Sequence, residues 1–323
     1  MAKKERIVFY GTPAFAVASL KELYTEGYNI VGVVTAPDKP AGRGNKLKQS
    51  AVKQFATQKH LPLFQPENLK SEEFLNQLKK LNPSIQVVVA FRMLPKQVWG
   101  FPEKGTFNLH ASLLPAYRGA APINHAIING EKESGLTTFF INDSIDTGQI
   151  IFQEKTTIHS EDNAGMLHDR MMLQGSKLVL KTVNAIGQNN YNTVPQHDLF
   201  NGFNEFKTAP KIFHSDCQIK WCNKTMDQLQ NFIRGLSPYP TAHTWLISPE
   251  GKRYQLKIFE VAAIREKHHH PCGKLITDGK KYLDITTSEG YIQIMELKLS
   301  GKKKMTAPEF LRGFSIDSSW IIE

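Results

Sequence analysis

Hydrophobic and polar positions follow two different periods along this chain. A strand-like segment at 6–11, apolar from Ile7 to Tyr10, is followed by helical spacing at 16–24 and a second strand-like run at 30–35, which predicts a βαβ opening. Helical spacing returns at 52–59 and 71–81, and strand-like runs return at 85–90 and 105–109. Strands that are apolar on both faces and alternate with helices are covered on both sides, so the first part of the chain is expected to be α/β, a doubly wound Rossmann-like parallel sheet. In such a sheet ligands bind at the carboxyl ends of the strands.

Beyond this region the pattern changes. Residues 136–141 alternate like a strand and 149–153 return from it, a hairpin whose loop holds Asp143 and Asp146. A helix is expected over 162–185. The stretch 188–206 is rich in Asn, Gln and Gly with little periodicity and reads as a linker. Short runs at 217–221, 244–247, 254–261 and 291–297, with one helical segment at 225–233, have the spacing of a small β-barrel. The expected domains are therefore 1–188, a linker at 189–206 and a barrel at 207–323. A chain of 323 residues, 41% hydrophobic, is long enough for two cores.

Charge adds a partner class. The formal net charge is +10, with 22 basic against 18 acidic residues through residue 206 and 18 against 12 after it. A basic surface attracts polyanions, although many such surfaces are merely solvated. No apolar run is long enough for a bilayer, so a soluble, cytoplasmic protein is expected, and a monomer. Cys217, Cys222 and Cys272 form no Cys-x-x-Cys pair, and His268, His269 and His270 sit in loop-like sequence beside Pro271 and Gly273. No metal is expected. The first turn, Gly11-Thr12-Pro13-Ala14-Phe15, lacks the later glycines of a pyrophosphate fingerprint, which argues against NAD.

The candidate chemistry lies at the end of the strand over 105–109. Asn108 and His110 are two residues apart and so face the same side of a strand. Both can donate hydrogen bonds to an oxygen that gains charge during attack on a carbonyl carbon. A carboxylate near His110 would fix its tautomer. Ser112 lacks the Gly-x-Ser-x-Gly elbow of a hydrolase, so the nucleophile must come from the substrate. The competing reading is that Asn108 and His110 only close a turn, and that Asp143 or Asp146 forms an Asx turn.

Longer motifs surround these residues: Asn108-Leu109-His110, Ser112-Leu113-Leu114-Pro115, Arg118-Gly119-Ala120-Ala121-Pro122 and Asp146-Thr147-Gly148. Together they resemble the folate-dependent formyltransferases. Gly11 to Phe15, Asp38 to Gly44, Ala209-Pro210-Lys211-Ile212, Arg234 to Pro240, Gly301 to Met305 and Phe310 to Gly313 resemble the branch whose acceptor is methionyl-tRNA.

This resemblance implies formyl transfer from 10-formyltetrahydrofolate to the methionine of initiator methionyl-tRNA. It implies catalytic roles for Asn108, His110 and Asp146, with Asp143 left as a turn former, and an OB-like, RNA-binding C-terminal barrel. The folate is expected along Ser112, Leu113, Leu114 and Pro115, with Phe91, Arg92 and Leu94 near its pterin. RNA contacts are expected at Lys39, Arg43, Lys46 and Lys48, in a loop that can stay mobile until RNA binds, and at Lys211, Lys302, Lys303 and Lys304. Ala116, Ser144 and the bulky Arg92-Met93 pair depart from the family pattern in the folate region.

Overall fold

The computed structural model describes residues 5–41, 46–199 and 206–323. In chain order the elements begin with β1 (Arg6–Gly11), α1 (Ala14–Thr25), β2 (Asn29–Val34), β3 (Lys39–Ala41), β4 (Lys46–Lys48), α2 (Ala51–Gln58), β5 (Leu63–Phe64) and α3 (Glu72–Leu81). Next come β6 (Ile85–Val89), α4 (Lys96–Trp99), β7 (Thr106–His110), β8 (Arg118–Gly119), α5 (Pro122–Ile128), β9 (Glu133–Phe140), β10 (Ile150–Thr157) and α6 (Ala164–Gly187). The chain ends with β11 (Thr208–Ala209), α7 (Met226–Leu236), β12 (Ala242–Ile247), β13 (Arg253–Ile264), β14 (Leu275–Thr277), β15 (Leu283–Thr286), β16 (Tyr291–Leu299), β17 (Met305–Thr306), α8 (Ala307–Gly313) and β18 (Ile321–Ile322).

The chain divides into two compact units. The first takes the residues up to Gly119 together with Ser134–Thr157 and His168–Thr208. Its seven-stranded sheet has the order β10-β9-β7-β6-β1-β2-β5, parallel from β7 to β5 and antiparallel where β9 joins β7. Every residue of β6 is buried, which explains its apolar sequence, and its one polar side chain, Gln86, donates to the Val98 carbonyl at 3.2 Å. Gly11 ends β1 where a Cβ would lie 2.6 Å from that of Ala16, so its bare backbone lets α1 start directly after the strand. Helix α3 carries its own boundary signals: Ser71 caps the Phe74 amide, acids occupy the first turn and lysines the last, and Asn82 closes it at φ 41°.

The second unit takes Ala120–Glu133, Ile158–Leu167 and Ala209–Glu323. Its antiparallel, barrel-like sheet runs β14-β15-β16-β13-β12-β18, with β17 on β16. Leu256, Ile258, Ile285, Ile292 and Leu297 fill it together with Leu229 and Ile233 of α7. Two stretches that the periodicity assigns to the first domain, 120–133 and 158–167, pack here instead. Asn124 donates to the Gly235 carbonyl at 2.8 Å, and Arg234 donates to the Asp162 carbonyl at 2.7 Å. A Cβ on Gly235 would stand 2.6 Å from Ile128, so α5 lies tight against α7.

The stretch around Lys39 and Lys48, expected as a loop, contains the short antiparallel hairpin β3–β4. Asp38 anchors its base, accepting from Lys53 at 2.6 Å and from Gln65 at 2.9 Å, and Gln65 also donates to the Ala36 carbonyl at 2.8 Å. These donors hold the Asp38 carboxyl below its ordinary range, Lys53 more than Gln65. In the second unit all three cysteines are free. His268 is absorbed by its own turn, bonding the Gly290 carbonyl and the His270 amide. Among the described residues no group of three or more His, Cys, Asp or Glu could hold a metal, and no helix is long and apolar enough to cross a membrane.

Candidate active site

Strand β7 ends in the middle of the first sheet, between β6 and β9, and delivers Asn108 and His110 to one side of it. Asn108 is half-buried, and its side-chain amide has no partner among the described residues. His110 is 6% exposed, and both its ring nitrogens face oxygens. Nε2 lies 2.9 Å from the Tyr117 carbonyl and Nδ1 3.8 Å from Asp146 Oδ2. A carbonyl only accepts, so the hydrogen of a neutral ring sits on Nε2 and leaves Nδ1 turned to the carboxylate. At 3.8 Å the pair is too far apart for a hydrogen bond, and it becomes an attraction when the ring carries both hydrogens.

Asp146 occupies the loop between β9 and β10 in the left-handed region, φ 54°, and its Oδ2 accepts the Gly119 amide at 3.0 Å. The same loop requires Gly148, where a Cβ would fall 1.6 Å from the Phe140 carbonyl oxygen. Asp143, expected to form the turn, instead faces Lys96 at 3.6 Å on the surface. Asn142 makes the turn, its Oδ1 accepting the Ser144 amide at 3.1 Å and the Thr147 hydroxyl at 2.9 Å.

The Ser112-Leu113-Leu114-Pro115 turn is braced by a residue the sequence reading does not single out. The buried Thr137 hydroxyl donates to the Ser112 carbonyl at 2.6 Å and accepts the Leu114 amide at 3.1 Å. Gln153 adds bonds to the Leu114 carbonyl, 2.8 Å, and to the Thr137 hydroxyl, 3.0 Å. Ser112 donates its own hydroxyl to the Ala116 carbonyl at 2.6 Å, an acceptor that cannot serve as a general base. Phe91 and Leu94 pack in an apolar cluster with Tyr10, Val34 and Val88. Arg92 turns outward to the Pro66 and Glu67 carbonyls.

Gln196, also without a sequence signal, is 4% exposed within the stretch read as a linker. Its amide donates to the carbonyls of Asp146, 3.0 Å, and Gly148, 2.8 Å, and accepts from Arg118 at 3.1 and 2.6 Å. Burial pushes the Arg118 guanidinium below its ordinary range, and the charge of Asp146 opposes that shift.

The basic residues are spread over both units. Lys39 and Lys48 stand opposite each other on the exposed hairpin, and Lys46 pairs with Ala41 through its backbone. Arg43 lies outside the described residues. In the second unit Lys211 lies over Phe213, and Lys302, Lys303 and Lys304 are exposed before β17. Lys304 bonds Glu296 at 2.7 Å.

The formyl transferase family pattern matches residues 5–183, and that of the formyl transferase C-terminal domain matches 211–315. A methionyl-tRNA formyltransferase of Bacteroides thetaiotaomicron is 50% identical over 320 residues, 98% of this chain and 99% of its own. One from Flavobacterium johnsoniae is 51% identical over 313 residues, 97% of each chain. Among solved structures, the sugar 3N-formyl transferase WlaRD, crystallised with dTDP and 5-N-formyl-THF, is similar at a TM-score of 0.61 and 20% identity, over 93% of this chain and 99% of its own. HypX of Aquifex aeolicus is similar at 0.63 and 16% identity, over 97% of this chain and 49% of its own. At these identities the two structures speak to the fold alone.

Proposed function

This chain belongs to the formyl transferase family, and we infer that it formylates the α-amino group of methionine on initiator methionyl-tRNA. The observation that carries this reading is the full-length match to methionyl-tRNA formyltransferases at about half identity, together with an amide, an imidazole and a carboxylate gathered at the end of β7.

The formyl donor is a folate, and 10-formyltetrahydrofolate suits the chemistry. The neutral methionine amine attacks the formyl carbon and a C–N bond forms. The resulting tetrahedral oxyanion collapses with cleavage of the bond to the folate nitrogen, which takes a proton while the former amine loses one. Asn108 is suited to donate to the oxyanion, since its amide has no other partner among the described residues. His110 gives up its bond to the Tyr117 carbonyl to serve as the second donor, or as the group that moves the proton. Asp146 orients the ring and offsets its positive charge.

The folate is assigned to the Ser112–Pro115 turn and the pterin to the Phe91–Leu94 segment, whose apolar packing suits a flat ring. Lys39, Arg43, Lys46 and Lys48 of the hairpin segment, with Lys211 and Lys302 to Lys304 of the second unit, are assigned to RNA phosphates.

The test offers the purified protein 10-formyltetrahydrofolate with methionyl-initiator-tRNA, methionyl-elongator-tRNA or glycinamide ribonucleotide. Formylation of the initiator species is expected. Formylation of the small acceptor in its place would keep the chemistry and overturn the acceptor.

A further inference from the structure

The two groups that face His110 both sit on left-handed backbone, Tyr117 at φ 60° and Asp146 at φ 54°. Non-glycine residues hold that conformation only where their surroundings fix it. In both cases the fixing partner comes from the chain after α6. The Tyr117 amide donates to the Lys207 carbonyl at 2.6 Å, and the Asp146 carbonyl accepts from Gln196. Between α6 and Gln196 the chain runs along the strands that flank the Asp146 loop. Tyr191 packs on Phe140 with ring centroids 5.7 Å apart, Thr193 donates to Gln149 at 2.7 Å, and Val194 exchanges two backbone bonds of 2.9 Å with Ile150.

Gln196 has an unusual degree of saturation. Its two amide hydrogens go to two carbonyls, and its one oxygen takes both Arg118 nitrogens. The orientation of the amide is fixed by chemistry, since arginine only donates and carbonyls only accept. Two donors and two acceptors in one plane are what an amide side chain offers and a carboxylate or ammonium does not.

We propose that Gln196 is a positioning residue for formyl transfer: it locks the Asp146–Gly148 backbone to Arg118, and so sets the carboxylate against His110. The proposal rests on the reading that Asp146 acts through His110. Gln196 touches no reacting atom, so its loss should lower turnover and leave substrate affinity nearly unchanged.

The experiment is a double-mutant cycle on the full-length protein. Formylation of methionyl-initiator-tRNA is measured for the wild type, Gln196→Met, Asp146→Asn and the double variant, with KM for both substrates. Gln196→Met is expected to lower kcat by about 10- to 100-fold, the scale of a misplaced catalytic group, with each KM within about threefold. In the Asp146→Asn background the same change should cost less than about twofold, because the group it positions is already disabled. A merely structural role would cost the same factor in both backgrounds, and that result overturns the proposal. Gln196→Glu, which keeps the acceptor for Arg118 but turns an oxygen on two carbonyls, runs through the same cycle should Gln196→Met fail to fold, and the same loss is expected of it. A wild type that formylates no methionyl-tRNA would defeat the functional reading itself, and an Asp146→Asn variant with wild-type turnover would defeat the premise about Asp146. With both of those intact, normal turnover in the Gln196 variants defeats this proposal alone.

Discussion

The Asp146 loop and the β3–β4 hairpin belong to the same unit and are built on opposite principles. The loop places one carboxylate with partly buried hydrogen bonds, from the Gly119 amide to its Oδ2 and from Gln196 to its backbone carbonyl, and a Cβ at Gly148 would close it out. The hairpin presents exposed lysines, and its side-chain anchors among the described residues lie at its base, where Asp38 meets Lys53 and Gln65. Transition-state stabilisation depends on distances to within a fraction of an ångström, so it needs rigid partners. Attraction of a polyanion depends on summed charge, which tolerates loose geometry and is screened by salt. The contrast predicts that substitutions in the loop act on turnover and substitutions in the hairpin act on affinity.

Removing a donor from β7, which the Asp146 loop serves, tests the contrast most severely. Asn108→Ala or His110→Ala is expected to lower kcat by on the order of 10²- to 10³-fold, with KM for the RNA within a few-fold, as initial formylation rates would show. A large rise in KM at constant kcat would mean that these groups bind rather than catalyse. Thr137→Val is expected to cost about 1–3 kcal/mol of stability, because it strands the Ser112 carbonyl and the Leu114 amide without their partner. Urea unfolding measures this directly; an unchanged midpoint would mean that the turn finds other bonds. In the hairpin, Lys39→Ala with Lys48→Ala should weaken RNA binding and reduce the slope of log affinity against log salt by about one for each phosphate that is no longer neutralised. A slope equal to that of the wild type would remove the hairpin lysines from the RNA interface.

The smallest effect concerns pH. The folded Asp38 carboxyl is held below its unfolded value, so its pairing with Lys53 is fully present above the ordinary carboxylate range and is lost as pH falls through the lowered folded value. Hydrogen exchange of the hairpin amides should therefore rise over its intrinsic rate on acidification in the wild type. In Lys53→Met the rise should start from a higher baseline and be shallower. Equal profiles would mean that the hairpin holds without its base.

What can be read from the sequence, and what cannot, follows the same physical division. Strand β6 and helix α3 are visible because burial on both faces and paired end signals are local properties of the chain. Asn108 and His110 are visible because a period of two fixes their common face. Thr137 and Gln153 are not, since a hydroxyl and an amide on strands look like ordinary polar positions until another turn is folded over them. Gln196 sits among Asn, Gln and Gly residues whose composition reads as a linker, and only its four hydrogen bonds distinguish it. The placement of 120–133 and 158–167 with the second unit depends on Gly235 and Arg234, more than 65 residues further on, a pairing that no local pattern encodes.

For anyone dissecting this enzyme, the position of Gln196 changes where a cut can fall. A fragment stopped at the end of α6 would keep Asn108, His110 and Asp146 and all seven strands of their sheet. It would lose the tether on the Asp146 carbonyl and the partner of Arg118, and with Lys207 also the bond that holds Tyr117. Such a half would also strip α5 of its packing against α7, so its loss of activity would not by itself show that the barrel takes part in the chemistry.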